Sequence, residues 1–207
     1  MPNVILVADE ISGYNYGSAE VAKSPITPQE LQELKESAGF TSEDETWLHR
    51  AGLVLKGHTA AIVEKWRAVI SAHPHLARYS LKPNGEKDPH YSEASGLRFQ
   101  QWILDTCLRP YDQDWLNYQQ EIALRHTSEK KNKTDNVESA STIHLRDLVA
   151  FTAVINDPNI LKPFLSAKGD DSTVVEKMYQ AWCKSILLQI ALWTQPYTDT
   201  RLAPNEW

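Results

Sequence analysis

Apolar side chains recur at three- and four-residue intervals along most of this chain, which is the spacing of amphipathic helices. The first such tract begins at Thr27, which can cap a helix, and Pro28, which suits the first helical position. Glu30 can close a capping box with Thr27, and Gly39 supplies an end. The pattern therefore predicts a first helix between Thr27 and Gly39.

A longer helical tract starts at Thr41 or Ser42 and extends to Pro74, with room for one helix or two. A polar, proline-containing stretch at 81–89 predicts a loop. Helical spacing then returns over 91–107. These tracts predict the helical first half of a domain.

The second half of the chain shows the same period. Asp112 can cap a helix that continues through His126. Two long tracts follow at 143–167, with a break near Asp157-Pro158, and at 172–193. Because no stretch alternates in the manner of a strand, the fold class predicted is all-α.

A chain of 207 residues fits one domain. Residues 1–26 are irregular, and Tyr14 and Tyr16 can fold that segment back onto the body. We therefore predict an N-terminal extension over 1–26 and a single domain over 27–207.

Charge and composition exclude several classes of protein. Lys and Arg total 21 against 27 Asp and Glu, a formal charge of −6, which argues against broad contact with nucleic acid. The apolar run at 4–8 is too short to cross a membrane and lacks a basic leader. Cys107 and Cys183 form no C-x-x-C pair, so neither a disulfide nor a zinc site is expected. A reduced, cytoplasmic compartment is the expectation.

Chemistry-bearing motifs are sparse, but the aromatic content is high. Phosphate-binding loops, nucleophile elbows and zinc-protease motifs do not occur in the sequence. His73 and His75 flank a proline without a nearby acid, which favours a solvated loop over a metal site. The seven tryptophans and eight tyrosines indicate either a thick aromatic core or a bulky apolar guest.

His126 stands out among the seven histidines because of its predicted helix. Ile122, Gln119 and Trp115 precede it at helical spacing, so its imidazole shares a mainly apolar face. A neutral imidazole on such a face suits the iron of a porphyrin. A buried histidine with an ordinary hydrogen bond fits the same spacing, and the pattern does not choose between the two.

Long ungapped runs over nearly the whole chain match one protein family in order. They include Tyr-Gln-Gln-Glu-Ile-Ala-Leu-Arg-His at 118–126, together with 13–17, 73–76, 102–107, 111–115, 130–139, 148–151, 162–165 and 175–182. These runs resemble the protoglobins, single-domain haem globins related to the sensor domains of globin-coupled sensors. The resemblance implies a globin-like helical sandwich with an N-terminal extension.

The resemblance also implies haem b held by a proximal histidine, a position that falls on His126. The family's distal tryptophan and phenylalanine fall on Trp66 and Phe99, while Arg67 stands where the family has tyrosine. Arg67 can reach inward to a bound ligand, contact a haem propionate or swing to solvent. Thr127 occupies a position where the family often has a second histidine.

Further haem contacts are implied by the same resemblance. Leu148, Phe151 and Ile155 correspond to positions that line the haem, and the last two share a helix face. Arg98 suits a haem propionate because a guanidinium pairs well with carboxylates. A solvated arginine on a helix surface is the competing interpretation for Arg98.

The function implied is reversible binding of O2, CO or NO at a five-coordinate haem iron, used in gas sensing or scavenging. The alternative is a haem enzyme that acts as a nitric oxide dioxygenase, a nitrite reductase or a peroxidase. Either role would need a separate signalling or reductase partner. A haem-free helical domain is a third hypothesis. The family also implies a homodimer formed through the last two long helices.

Overall fold

The computed structural model describes residues 11–198, which contain nine α-helices and no β-strand. The helices are α1 (Pro28–Ser37), α2 (Ser42–Leu55), α3 (Thr59–Ala72), α4 (Pro74–Ala77), α5 (Pro89–Leu108), α6 (Gln113–Leu124), α7 (Leu145–Ile155), α8 (Pro158–Leu165) and α9 (Ser172–Trp193). A single 3₁₀ turn follows at Gln195–Tyr197. The all-α class is confirmed. The apolar run at 4–8 lies outside the described residues.

Side-chain caps explain where the first two helices begin. Thr27 caps α1, and Glu30 returns a hydrogen bond to the Thr27 backbone N–H at 2.7 Å. Thr41 and Asp44 form the same reciprocal box at the start of α2. Each box satisfies backbone donors that a helix start otherwise leaves without partners.

The structure decides between the two alternatives at one tract and changes two other predictions. The tract from Thr41 to Pro74 is two helices rather than one, α2 and α3. Residues 74–77 form the short helix α4 rather than a simple loop, although His73 and His75 beside and within it are exposed. The helix predicted to continue through His126 ends at Leu124, because the backbone tightens into a turn.

The main core lies where α2 packs against α5 and α9. Gly52 allows the close approach of α2 and α5, since a Cβ atom there would stand 2.6 Å from the Cβ of Cys107. Trp66 and Trp182 are completely buried within this core, with their ring centroids 6.2 Å apart. The aromatic residues therefore fill a core, which is one of the two uses that their number indicates.

Residues 11–26 pack against α5 and α6 as an irregular segment. The Tyr14 hydroxyl donates to the buried carboxylate of Asp105 at 2.8 Å, and the Ala22 N–H donates to Glu121 at 3.1 Å. These bonds tie the segment to the helical body, while the predicted domain boundary at residue 26 stays a prediction. No helix of the described residues combines the length and apolarity needed to cross a membrane.

Candidate haem site

A cavity of about 410 Å³ lies between α3, α5, α6, α7 and α9. Its volume falls within the range of small-molecule and cofactor pockets. Much of the wall is apolar or aromatic, including Phe99, Trp102, Ile122, Phe151, Ile155 and Trp193. The helices that form the core therefore also enclose a space large enough for a ligand.

His126 lines this cavity two residues beyond the end of α6. Its Nδ1 atom lies 2.7 Å from the carbonyl oxygen of Ile122, and because a carbonyl only accepts, Nδ1 donates. Its ring stacks on Trp193, with centroids 5.4 Å apart. Within residues 11–198, the other ring nitrogen, Nε2, has no hydrogen-bond partner. The structure thus leaves one nitrogen lone pair available.

Backbone contacts fix the segment that carries His126. The His126 N–H donates to the Ala123 carbonyl at 3.0 Å, which closes the turn after α6. The His126 carbonyl accepts from the Ile143 N–H at 2.8 Å and from the Tyr197 hydroxyl at 3.1 Å. Elements distant in sequence therefore hold the backbone of His126 from both sides.

The surroundings of His126 favour its neutral form. Burial within the protein lowers the pKa of His126 to about 4, although part of its surface faces the cavity. The hydrogen bond to Ile122 opposes this change, and the charges of Lys131 and Arg125 add to it. His126 is therefore an uncharged imidazole at neutral pH, the form that binds metal ions.

The cavity surface includes Phe99, Leu148, Phe151 and Ile155, as the sequence predicts. It does not include Trp66, whose place beside a haem stays a prediction. The Trp66 indole is completely buried behind Phe99, with ring centroids 5.1 Å apart. It supports the cavity wall, because its ring packs against Phe99 and Trp102, which both line the cavity.

Arg67 belongs to α3 and lines the cavity, and its side chain is hydrogen-bonded to residues of α5. Its guanidinium donates to the Ser92 carbonyl and to the Ser95 hydroxyl, each at 2.7 Å. A Cβ atom on Gly96 would stand 3.1 Å from the nearer guanidinium nitrogen, so the glycine makes room for it. Burial lowers the pKa of Arg67. Of the three alternatives, the swing to solvent is wrong, and a contact with gas or propionate stays a prediction.

Arg98 also lines the cavity, and its guanidinium is engaged by a protein carboxylate. Two parallel hydrogen bonds of 2.9 and 2.6 Å join it to Asp135, and a third reaches the Ser12 carbonyl at 2.6 Å. The competing interpretation of a solvated surface arginine is therefore wrong. A role with a propionate would require Arg98 to share its donors with Asp135.

The lining is positively charged although the whole chain is acidic. Five cationic side chains line the cavity against two acidic ones, which are Asp135 and Asp147. The chain as a whole carries a formal charge of −6. A positive wall in an acidic protein favours an anionic guest.

Sequence reasoning missed several lining residues. Trp193, which stacks on His126, was expected only as part of a core or dimer helix. Lys131, Tyr79 and Asp147 also line the cavity without any motif that indicates it. Their positions depend on long-range packing, which helical spacing does not encode.

A helical shell around an apolar cavity with one available imidazole nitrogen defines a globin-like protein. The protoglobin family model matches residues 27–202, and the chain belongs to the protoglobin family. Family membership implies a haem globin that binds gases. A search of curated proteins found no match.

Proposed function

We propose that this protein holds haem b through His126 and reversibly binds O2, CO or NO, as a gas sensor or scavenger. The observation that carries the proposal is the hydrogen bond from Nδ1 of His126 to Ile122. Because Nδ1 keeps the proton, Nε2 presents its lone pair as a ligand to iron. Family membership supports the same assignment.

The residues of the cavity fit haem in three respects. The apolar wall matches a porphyrin ring, the free imidazole nitrogen matches an iron, and the positive lining matches two carboxylates. His126 is the one histidine of this lining within the described residues. That composition supports a five-coordinate iron with histidine on one side.

The bound haem supplies an iron coordination position that a diatomic gas can occupy. His126 would hold the iron, the Ile122 carbonyl orients its imidazole, and Trp193 restrains the plane of the ring. Phe99, Phe151 and the other apolar side chains exclude water from the cavity. Arg67 ties α3 to α5 beside this space and so limits how far the wall can open.

The test compares absorption spectra of the wild type, His126→Ala and the control His75→Ala after reconstitution with haemin. His75 is exposed and outside the cavity lining. We expect the wild type and the control to give the same Soret band and the same CO-induced change after reduction. His126→Ala should lose both, and added imidazole should restore a histidine-like spectrum.

An unchanged Soret spectrum in His126→Ala with one haem bound would overturn the assignment. A wild-type protein that refuses haemin would favour the haem-free domain instead. Multiple turnovers of NO, nitrite or peroxide with a generic reductant would favour the enzyme over the simple gas-binding protein.

We also propose that two copies pair through α7, α8 and α9. Leu187 on α9 and Val149 on α7 are large apolar side chains that are 54% and 47% exposed. The resemblance to protoglobins, which implies pairing through the last two long helices, supports the proposal, and these two side chains would be covered by it. Light scattering at two concentrations should give a dimer mass, and Leu187→Glu should shift it to the monomer. A monomer at both concentrations would contradict the pairing.

A further inference from the structure

Lys131 is a buried lysine that contributes to the lining of the cavity. The residue is 4% exposed and lies five positions after His126 in the chain. Lysine is seldom buried to this extent unless an acidic group pairs with it. The surroundings of its Nζ atom therefore bear on what the cavity holds.

All hydrogen-bond partners of Lys131 are neutral. Its Nζ atom donates to the Ser139 hydroxyl at 2.7 Å, the Tyr79 carbonyl at 2.8 Å and the Asn132 side chain at 3.3 Å. Within residues 11–198, none of its ion-pairing distances to a carboxylate is 4.0 Å or less. These bonds use all three N–H donors of the ammonium group but do not neutralise its charge, so a carboxylate would replace the longest of them, the 3.3 Å contact with Asn132.

Other cations of the lining differ from Lys131. Arg98 is paired with Asp135 at 2.6 Å, and Arg125 is paired with Glu121 at 3.0 Å. The acid Asp147 accepts the Tyr79 hydroxyl at 2.6 Å. Lys131 is thus a buried cation of the cavity wall that the described protein groups leave without a counter-ion.

Arg67 and Lys87 are the remaining cations of the lining, and both are weaker candidates for a buried anion. Arg67 also has no carboxylate partner among the described residues, but it is less buried than Lys131 and donates to two acceptors of α5, at 2.7 Å each. Lys87 is exposed, so water already solvates its charge. Burial penalises an uncompensated charge, and an anion in the cavity would relieve that penalty at Lys131.

We propose that Lys131 is the residue that pairs with a carboxylate of the bound haem, and so positions one propionate. The inference rests on the proposed haem function. Because Lys131 and His126 belong to one segment, the same stretch of chain would hold both the iron and a carboxylate. The uncompensated charge would then select a porphyrin that carries free carboxylates.

The experiment compares two proteins, each loaded with two different cofactors. Wild type and Lys131→Met are each loaded with haemin or with its dimethyl ester, in which both carboxylates are uncharged. The rate of cofactor loss to excess apomyoglobin is measured for all four pairs. We expect Lys131→Met to lose haemin about ten to a hundred times faster than the wild type, as for loss of a charged hydrogen bond. The ester should leave both proteins at similar rates.

Two further variants separate charge from folding. Lys131→Gln retains a hydrogen-bond donor for Tyr79 and Ser139 but lacks the charge, so it should behave as Lys131→Met does. Lys133→Met removes a charge from the same segment at an exposed position outside the lining, and should match the wild type. Thermal unfolding of the apo-proteins shows which variants are folded before loading.

If the Lys131 variants lost haemin and its ester faster than the wild type by the same factor, the inference would be overturned. Lys131 would then only stabilise the segment around Ser139. Unchanged haemin loss in both Lys131 variants would overturn the inference as well. In either case a haem spectrum that depends on His126 would leave the proposed function standing. A wild-type protein that fails to bind haemin would overturn both the proposed function and the inference about Lys131.

Discussion

The Nδ1 atom of His126 donates a 2.7 Å hydrogen bond to the carbonyl oxygen of Ile122, four residues earlier in the chain. The bond fixes the tautomer and restrains rotation of the imidazole before any ligand arrives. It couples the end of α6 to the chemistry of the cavity, because Ile122 belongs to that helix. The orientation of this one side chain therefore depends on the backbone of α6.

His126 should titrate far below an ordinary histidine in the haem-free protein. Burial lowers its pKa from 6.5 to about 4, so the unfolded chain binds more protons between these values. The contribution of His126 to folding stability should therefore fall as the pH decreases from 6.5 to 4. NMR of histidine-labelled protein measures the pKa, and His126→Gln identifies the signal. A pKa between 6 and 7 would contradict the burial of this ring.

Tyr197→Phe should loosen the segment that carries His126. The Tyr197 hydroxyl lies 2.8 Å from the Ile143 carbonyl and 3.1 Å from that of His126. Its loss should lower the free energy of unfolding by about 1 kcal/mol. Urea denaturation measures this, and amide exchange at Ile143 should accelerate. Tyr16→Phe is the control, because the Tyr16 hydroxyl makes no hydrogen bond to the described residues. An equal loss of stability in this control would refute the prediction.

Arg67→Met should destabilise the protein by about 1–3 kcal/mol, because both charged hydrogen bonds to α5 disappear. Lys65→Met, an exposed substitution on the same helix, is the control and should have little effect. Urea denaturation of the haem-free proteins compares them. Equal stability of Arg67→Met and wild type would show that this tie between α3 and α5 contributes nothing.

Gly52→Ala should separate α2 from α5. The added Cβ would lie 2.6 Å from both the Cβ of Cys107 and a methyl carbon of Leu108, so the helices must shift. Overpacking costs about 1–3 kcal/mol, which outweighs a gain of about 1 kcal/mol in helix propensity. Gly57→Ala is the matched control, since its Cβ would meet nothing within 4 Å. A Gly52→Ala protein as stable as the wild type would refute the close contact.

Several helix starts were predicted from local signals. Thr27 and Thr41 satisfy backbone donors within their own first turns, so their effect does not depend on the rest of the fold. The break at Pro158 is equally local, because proline lacks the N–H that a continuing helix needs. The end of α6 before His126 was missed because a tightened turn has no comparable residue signature.

The cavity was only partly predictable. Family resemblance identified Phe99, Phe151 and Ile155, which lie on its surface, and Trp66, which lies one layer behind it. Spacing gives the face of a helix on which a residue lies, but not how deep that residue sits once neighbouring helices pack. Trp66 is separated from the cavity by Phe99, and only the packing of α3 on α5 decides this.

The sequence by itself determined the all-α class, the main helix starts and the family, because caps, periodicity and long ordered runs are local or linear properties. It singled out His126 but could not choose its tautomer, its stacking on Trp193 or the placement of Arg67. Tertiary structure decided those, because each depends on atoms brought together from distant segments. Lys131 is the clearest case, since its uncompensated charge is visible only after Tyr79, Ser139 and the cavity wall surround it.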